Sequence, residues 1–475
     1  VNFDGITYAK GASVLKQLAF YVGRTQFFEG IHNYLNRHAY SNATLADLLS
    51  ELEKTSGRDL KAWSAKWLEE SGINTIATEV EENADGTIAS LTLNQTAPAE
   101  HPVLRPHRLA VGFYDEDPAT GKIVRTDRFE LDVDGESTVV AAAAGKKRPA
   151  FILVNDDDLT YTKLRFDADS LSFALANLQR FDDALARAVV WLSLWDMTRD
   201  GDLAAEKFID TTLALLATET ESTTFRYALS CMSTTAWHYT APDRRADVVK
   251  HVAKELWKLV IAAPGGSDQQ FQLVTAYLGY GEEGDAEFAE HAQGLFDGSL
   301  IVAGLEIDNN FTWTIINALS SVKLIDQAGI DAQLAKRDTT ENREFALGAH
   351  AVRGDAAAKE WAWNEALNNA DLTNMQLEAV ARGFGATPRP DLAEPYAAKY
   401  YDVVDWVWKN KSFHMAEALL EGLYPYYADP ATLVELGHRW LADHEDADNA
   451  LKRIVRGNVE SSQRTLKVRD FNAAL

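Results

Sequence analysis

The chain has 475 residues, 46% hydrophobic and 25% charged, values of a globular protein that can bury several cores, with about three domains as a soft prior. Its formal net charge of −25 gives a surface that repels phosphate backbones, which argues against nucleic acid as a partner. No apolar run approaches the roughly 20 residues of a membrane-spanning helix, and a single cysteine, Cys231, excludes an internal disulfide framework and any cysteine-based zinc cluster.

The opening residues, Val1-Asn2-Phe3-Asp4, show neither a basic n-region nor an apolar h-region, so no signal peptide is expected. The absence of an initiator methionine fits a sequence entered part-way along a longer protein. Acidic charge, no membrane segment and one cysteine set the expectation of a cytoplasmic protein.

Residues 1–72 read as four helices. Val14, Leu15, Leu18, Ala19 and Val22 share a face, and Gly23 stands where a helix would end. A second helix follows Thr25, with Phe27, Phe28, Ile31, Tyr34 and Leu35 apolar. Thr44 with Asp47 reads as an N-terminal cap ahead of Leu45, Leu48, Leu49 and Leu52. Asp59 caps a fourth helix carrying Leu60, Trp63, Trp67 and Leu68, and Gly72 ends it. This stretch is too short for a comfortable domain and reads as part of one.

Across 73–165 the period changes to two. Leu109, Val111 and Phe113 alternate with Ala110 and Gly112, and Phe129, Leu131 and Val133 with Glu130 and Asp132. Asn83-Ala84-Asp85-Gly86 and the stretch from Asp115 to Gly121 supply turns, and Phe151-Ile152-Leu153-Val154 suits a strand buried on both sides. Short strands closely spaced by turns predict a small β-sandwich. From 166 to 475 nearly every segment is helical, from Leu171–Leu178 to Leu433–Leu441, joined by short polar turns without a strict repeat. The expected class is mainly α with a small β domain, the last part an irregular, HEAT-like α-superhelix.

The informative motif is Ile6-Thr7-Tyr8-Ala9-Lys10-Gly11-Ala12-Ser13-Val14-Leu15. It resembles the segment of aminopeptidase N family zinc enzymes that follows their zinc helix. The likeness continues through Phe27-Phe28-Glu29-Gly30-Ile31, Tyr34-Leu35, Asn42-Ala43-Thr44 with Asp47-Leu48, Trp67 and Gly72. The resemblance implies that 1–72 ends a thermolysin-like catalytic domain, with a β-sandwich and a helical C-terminal domain after it. It further implies a catalytic Tyr8, whose phenol O–H donates to the oxyanion formed at the scissile carbonyl. Peptides would be the substrates, and the upstream catalytic domain of the same protein a partner. Read alone, a tyrosine near a helix start is an ordinary half-buried aromatic.

Zinc is the cofactor the resemblance implies for the intact enzyme. Its His-Glu-x-x-His motif would place two imidazoles on one helical face. Among the 11 histidines the one His-Glu pair is His444-Glu445, and Asp448 stands where the second histidine is needed. His32 and His38 fall on different faces of a helix, and His101 and His107 bracket a proline-containing loop. The Gly-x-Met-Glu-Asn segment that holds the substrate amino terminus in the family is also absent. No metal ligand is therefore assigned, and the chain alone is expected to be inactive.

Asp156-Asp157-Asp158 lacks a fuller calcium-loop pattern and reads as a solvated turn. Arg180, Arg187 and Arg199 could face a peptide carboxylate, with surface salt-bridging as the alternative. The basic segment Leu451–Val468 reads as a terminal helix packing on acidic neighbours. A second function class stays open: a non-catalytic α-solenoid binding scaffold in which Tyr8 merely packs. Oligomeric state is not readable.

Overall fold

The computed structural model describes residues 6–475, so the reading of Val1-Asn2-Phe3-Asp4 lies outside the described residues. The chain divides into two units, one ending at Met197 and one spanning Thr198–Leu475.

The first unit starts with a π-helical turn, Ile6–Lys10, running directly into α1 (Gly11–Val22). Gly23, at φ 92°, breaks the chain before α2 (Arg24–Arg37), a conformation that glycine adopts without steric cost. α3 (Leu45–Ser56) starts from a capping box in which Thr44 and Asp47 satisfy each other's backbone N–H groups. Asp59 caps α4 (Leu60–Ser64), which continues into a second π turn, Ala65–Glu69. Val14, Leu18, Val22, Leu49, Leu52, Leu60, Trp63 and Trp67 form the core of these helices.

Several apolar positions expected to be buried are not. Leu15, Phe28, Leu35, Leu45 and Leu68 are exposed. The core above is too small to cover two faces of every helix, so the second apolar edge of α1, α2 and α3 stays open.

Seven strands follow: β1 (Thr75–Glu82), β2 (Ile88–Thr96), β3 (His107–Glu116), β4 (Ile123–Val133), β5 (Ser137–Val139), β6 (Phe151–Val154) and β7 (Lys163–Arg165). They form two sheets, ordered β5-β2-β1-β7 and β4-β3-β6. Among these strands only β1 and β7 pair in parallel. β6 is buried at all four positions, as its apolar run predicts. β3 departs from simple alternation: Ala110 is as buried as Leu109 and Val111, so this strand is covered on both faces. α5 (Ala168–Asn177) and α6 (Ala184–Asp200) follow, and the first unit ends inside α6.

The second unit is helical throughout. Helices Ala286–Asp297, Gln327–Lys336, Ala356–Asn368 and Phe413–Gly422 join those expected from periodicity. Alternate helices pack side by side, Asn309–Ser321 on Thr340–Ala351, that on Asn374–Gly385, and that on Phe413–Gly422. Small residues let them close up: a Cβ on Gly383 would stand 2.7 Å from the Gly348 carbonyl oxygen and 2.8 Å from Ala351 Cβ. Lys359, 2% exposed, points its ammonium at the carbonyls of Ala351 (2.7 Å), Gly383 and Phe384 (both 3.2 Å) and at the Thr387 hydroxyl. It thereby serves the open C-terminal carbonyls of two helices at once, and burial pulls its amine down to about 7.

The C-terminal basic segment is a single helix, Asn449–Ala473, packed on Pro430–Asp443. Arg453 pairs with Glu417 at 3.4 Å. The helix also returns to the start of the unit. The Asn472 side chain accepts from Ala205 N at 2.8 Å, and Arg469 Nε donates to the His238 carbonyl at 2.7 Å.

Candidate active site

Tyr8 sits in the π turn ahead of α1 with 60% of its surface exposed. A π turn inserts an extra residue into the helical ladder and rotates the side chains that precede it, a device frequent at functional positions. α1 has no side-chain cap, since the turn supplies backbone acceptors for its first N–H groups. Ala12 is exposed, so close approach to a neighbour within this chain is not its role.

α1 is fixed from the other side by polar contacts to the loop after β6. Gln17, 1% exposed, accepts a hydrogen bond from Tyr161 N at 2.9 Å. Lys16 Nζ donates to the Asp157 carbonyl at 3.1 Å and lies 3.4 Å from the Asp158 carboxylate. Lys10 Nζ stands 5.9 Å from the centre of the Tyr161 ring.

That loop is strained. Asn155, Asp157 and Asp158 have φ of 60°, 67° and 53°. Left-handed conformations at residues other than glycine cost of order 1–3 kcal/mol each and persist where surrounding contacts over-determine them. Here the contacts are in place. Asn155 Oδ1 accepts from Leu159 N (2.8 Å) and Thr160 N (2.9 Å), and its amide donates to the Thr160 carbonyl at 2.9 Å. Asp156, 1% exposed, accepts from the Tyr114 hydroxyl and from Arg125 Nη1, both at 2.6 Å. Asp157 accepts from Arg125 and Arg128, each at 3.0 Å. Burial raises the Tyr114 phenol well above its ordinary range, and its bond to Asp156 adds to this. Gly112 makes the room: a Cβ there would stand 2.7 Å from Asp156 Oδ2. The reading of Asp156-Asp157-Asp158 as a solvated turn is therefore corrected for Asp156, a buried anchor of the loop.

The base of the loop is a second buried polar centre. His107, at the edge of the proline-containing loop, opens β3 and is fully buried, with Nδ1 2.7 Å from the Thr160 hydroxyl and Nε2 2.8 Å from Gln95 Oε1. Burial, reinforced by the nearby Arg105 charge, holds its imidazole down at about 3. Arg105, itself buried, donates to the carbonyls of Lys66 (2.9 Å), Glu70 (3.0 Å) and Ser71 (2.8 Å). A cation there meets the negative end of the helix that carries Trp67.

Among the described residues, no group of three or more His, Cys, Asp or Glu side chains could hold a metal ion. His32 bonds Asn36 at 2.9 Å, and His444 pairs with Asp405 at 2.9 Å. The described residues do not fit a catalytic zinc. Arg180 donates to the Gly121 carbonyl at 2.7 Å and pairs with Glu116 at 2.6 Å, so it fastens the β3–β4 turn. Arg187 donates to the Phe181 carbonyl at 2.7 Å. No helix among the described residues is long and apolar enough to cross a membrane.

Comparison with known proteins accords with this arrangement. Residues 1–67 match the Peptidase family M1 domain, and residues 151–464, more than half of the chain, match the ERAP1-like C-terminal domain. The chain belongs to the M1 aminopeptidase family. It is similar to aminopeptidase N of Streptomyces lividans, 39% identical over 480 residues covering 100% of this chain and 56% of that protein. It is also similar to aminopeptidase M1 of Arabidopsis thaliana, 27% identical over 37% of this chain and 20% of that one. The crystal structure of Legionella pneumophila aminopeptidase A in complex with aspartic acid shares the fold, at TM-score 0.62 and 14% identity, covering 96% of this chain and 57% of that one. This M1 chain thus spans about half the length of the aminopeptidase N it matches over its whole extent.

Proposed function

We propose that this chain is the C-terminal part of a zinc-dependent aminopeptidase that removes N-terminal residues from peptides, and that Tyr8 is its transition-state hydrogen-bond donor. The observation that carries the reading is the placement of Tyr8: exposed, on a π turn, at the head of an anchored helix, inside the segment that matches the M1 domain. A phenol O–H is a hydrogen-bond donor on a stiff ring. Aimed at a carbonyl carbon under attack by water, it stabilises the oxygen as negative charge develops there. Zinc belongs to the intact enzyme, with its ligands outside this sequence.

Leu15, Phe28, Leu35 and Leu45 are large apolar side chains left exposed, and we assign their cover to the upstream catalytic domain. The organisation proposed is 1–72 as the end of that domain, 73–165 as a β-sandwich and 166–475 as the helical superhelix. A cytoplasmic setting accords with the acidic surface and the single cysteine. The chain alone is expected to show no aminopeptidase turnover.

The test is Tyr8→Phe in the full-length protein. Substrate binding should persist, and kcat should fall by roughly 10²–10³. Near-normal turnover would reduce Tyr8 to a packing residue, and an upstream sequence without His-Glu-x-x-His would end the zinc aminopeptidase reading.

A further inference from the structure

We infer that Gln17 is a positioning residue for Tyr8, and that the strained loop from Asn155 to Tyr161 is the fixture it works against. The inference rests on the reading of Tyr8 as catalytic. One residue of that loop meets both α1 and the π turn ahead of it. The Tyr161 N–H donates to Gln17 Oε1 at 2.9 Å, and the Tyr161 ring lies 5.9 Å from Lys10 Nζ, two residues after Tyr8. Hydrophobic packing of Val14, Leu18 and Val22 fixes which face of α1 is buried, but it resists small axial slides and rotations only weakly. A buried hydrogen bond is directional and fixes both.

Two features show that this contact is not simply efficient packing. Gln17 Nε2 is buried without a protein hydrogen-bond partner among the described residues, so glutamine is kept where an apolar side chain would avoid that cost. The loop, in turn, holds three non-glycine residues at positive φ, and its outward product is the Asp157 carbonyl and the Tyr161 N–H, both engaged by α1. Arg125 and Arg128 hold the loop from the sheet side. The placement of Tyr8 is thereby referred to the rigid β4-β3-β6 sheet.

The test compares Gln17→Leu, Gln17→Glu and Tyr161→Leu in the full-length enzyme, each alone and combined with Tyr8→Phe. Gln17→Leu should lower kcat about tenfold with KM unchanged, since misplacement of a catalytic group by about 1 Å costs up to a hundredfold. Gln17→Glu keeps the acceptor oxygen and should recover most of the loss. Tyr161→Leu, which keeps the backbone donor to Gln17 and removes the ring facing Lys10, should lower kcat several-fold. In the Tyr8→Phe background none of these should reduce kcat further, because the group they position is gone. Equal losses in both backgrounds, or an unchanged kcat in Gln17→Leu, would overturn the inference while leaving Tyr8 catalytic. An unchanged kcat in Tyr8→Phe alone would overturn both.

Discussion

His107 should give the first unit an acid-sensitive step that one substitution removes. The Gln95 amide donates to the Gly135 carbonyl at 2.8 Å, which leaves its Oε1 as the acceptor facing His107 Nε2. Nε2 therefore carries the proton, and Nδ1 accepts from the Thr160 hydroxyl. A second proton would have to enter a dry site beside the Arg105 guanidinium, which is why the imidazole is held at about 3 in the fold. Unfolded, it titrates near 6.5. Between these values the unfolded chain binds the extra proton and the folded one does not, so stability falls as pH drops below about 6.5 and the loss is complete near 3. At pH 5 the gap of about 1.5 pH units costs about 2 kcal/mol, at about 1.4 kcal/mol per unit.

The assay is urea unfolding of the wild type and His107→Gln near pH 7 and near pH 5, followed by tryptophan fluorescence. Trp67 reports on the site, its ring 5.1 Å from the imidazole in an edge-on arrangement. Carboxylates contribute to both proteins alike, so the difference isolates His107. The wild type should lose about 2 kcal/mol more than the variant over this interval, whatever the variant's stability near neutrality. Parallel curves would show that His107 titrates normally in the fold and that its two hydrogen bonds do not exclude the proton.

Lys359→Met should destabilise the second unit by roughly 1–3 kcal/mol, because it leaves buried helix-end carbonyls without a donor, and thermal unfolding would show it. An unchanged midpoint would mean that those carbonyls find other partners. Gly383→Ala should cost about 1–3 kcal/mol, since the added methyl meets a backbone oxygen and a Cβ across a helix seam, neither of which can rotate away. A neutral result would show that the seam between Thr340–Ala351 and Asn374–Gly385 opens freely.

Local chemistry made much of the fold legible. Thr44 with Asp47, Asp59 and Gly23 act over a few residues, and each ends or begins a helix where its chemistry requires. Two of the helices that escaped the periodic reading have buried faces of weak apolar signal. Ala356–Asn368 buries Ala358, Lys359, Ala362 and Ala366 beside Trp363 and Leu367, and Gln327–Lys336 buries only Ile330. Burial of Leu15, Phe28 and Leu35 does not follow from their periodicity, because an apolar stripe can be wider than the face that neighbouring helices cover.

The candidate site divides along the same line. Tyr8 is conspicuous because its neighbours Lys10, Gly11 and Ala12 travel with it in the chain. Its support is not conspicuous at all. Gln17 and Tyr161 are 144 residues apart, and neither stands out by type or spacing. A signal did exist in Asn155-Asp156-Asp157-Asp158, since asparagine and aspartate are the side chains that tolerate left-handed backbone, and a run of them after a buried strand permits a strained loop. What sequence could not give was the direction in which that loop delivers its backbone groups. That follows from Gly112 admitting Asp156 and from Arg125 and Arg128 reaching the loop from β4, contacts between strands that only the assembled sheet brings together. The group proposed as catalytic, Tyr8, is thus written locally, while the alignment proposed for it is distributed over α1, the loop after β6 and the sheet behind it. Substitutions that misalign Tyr8 should therefore be found in the β region as well as beside Tyr8 itself.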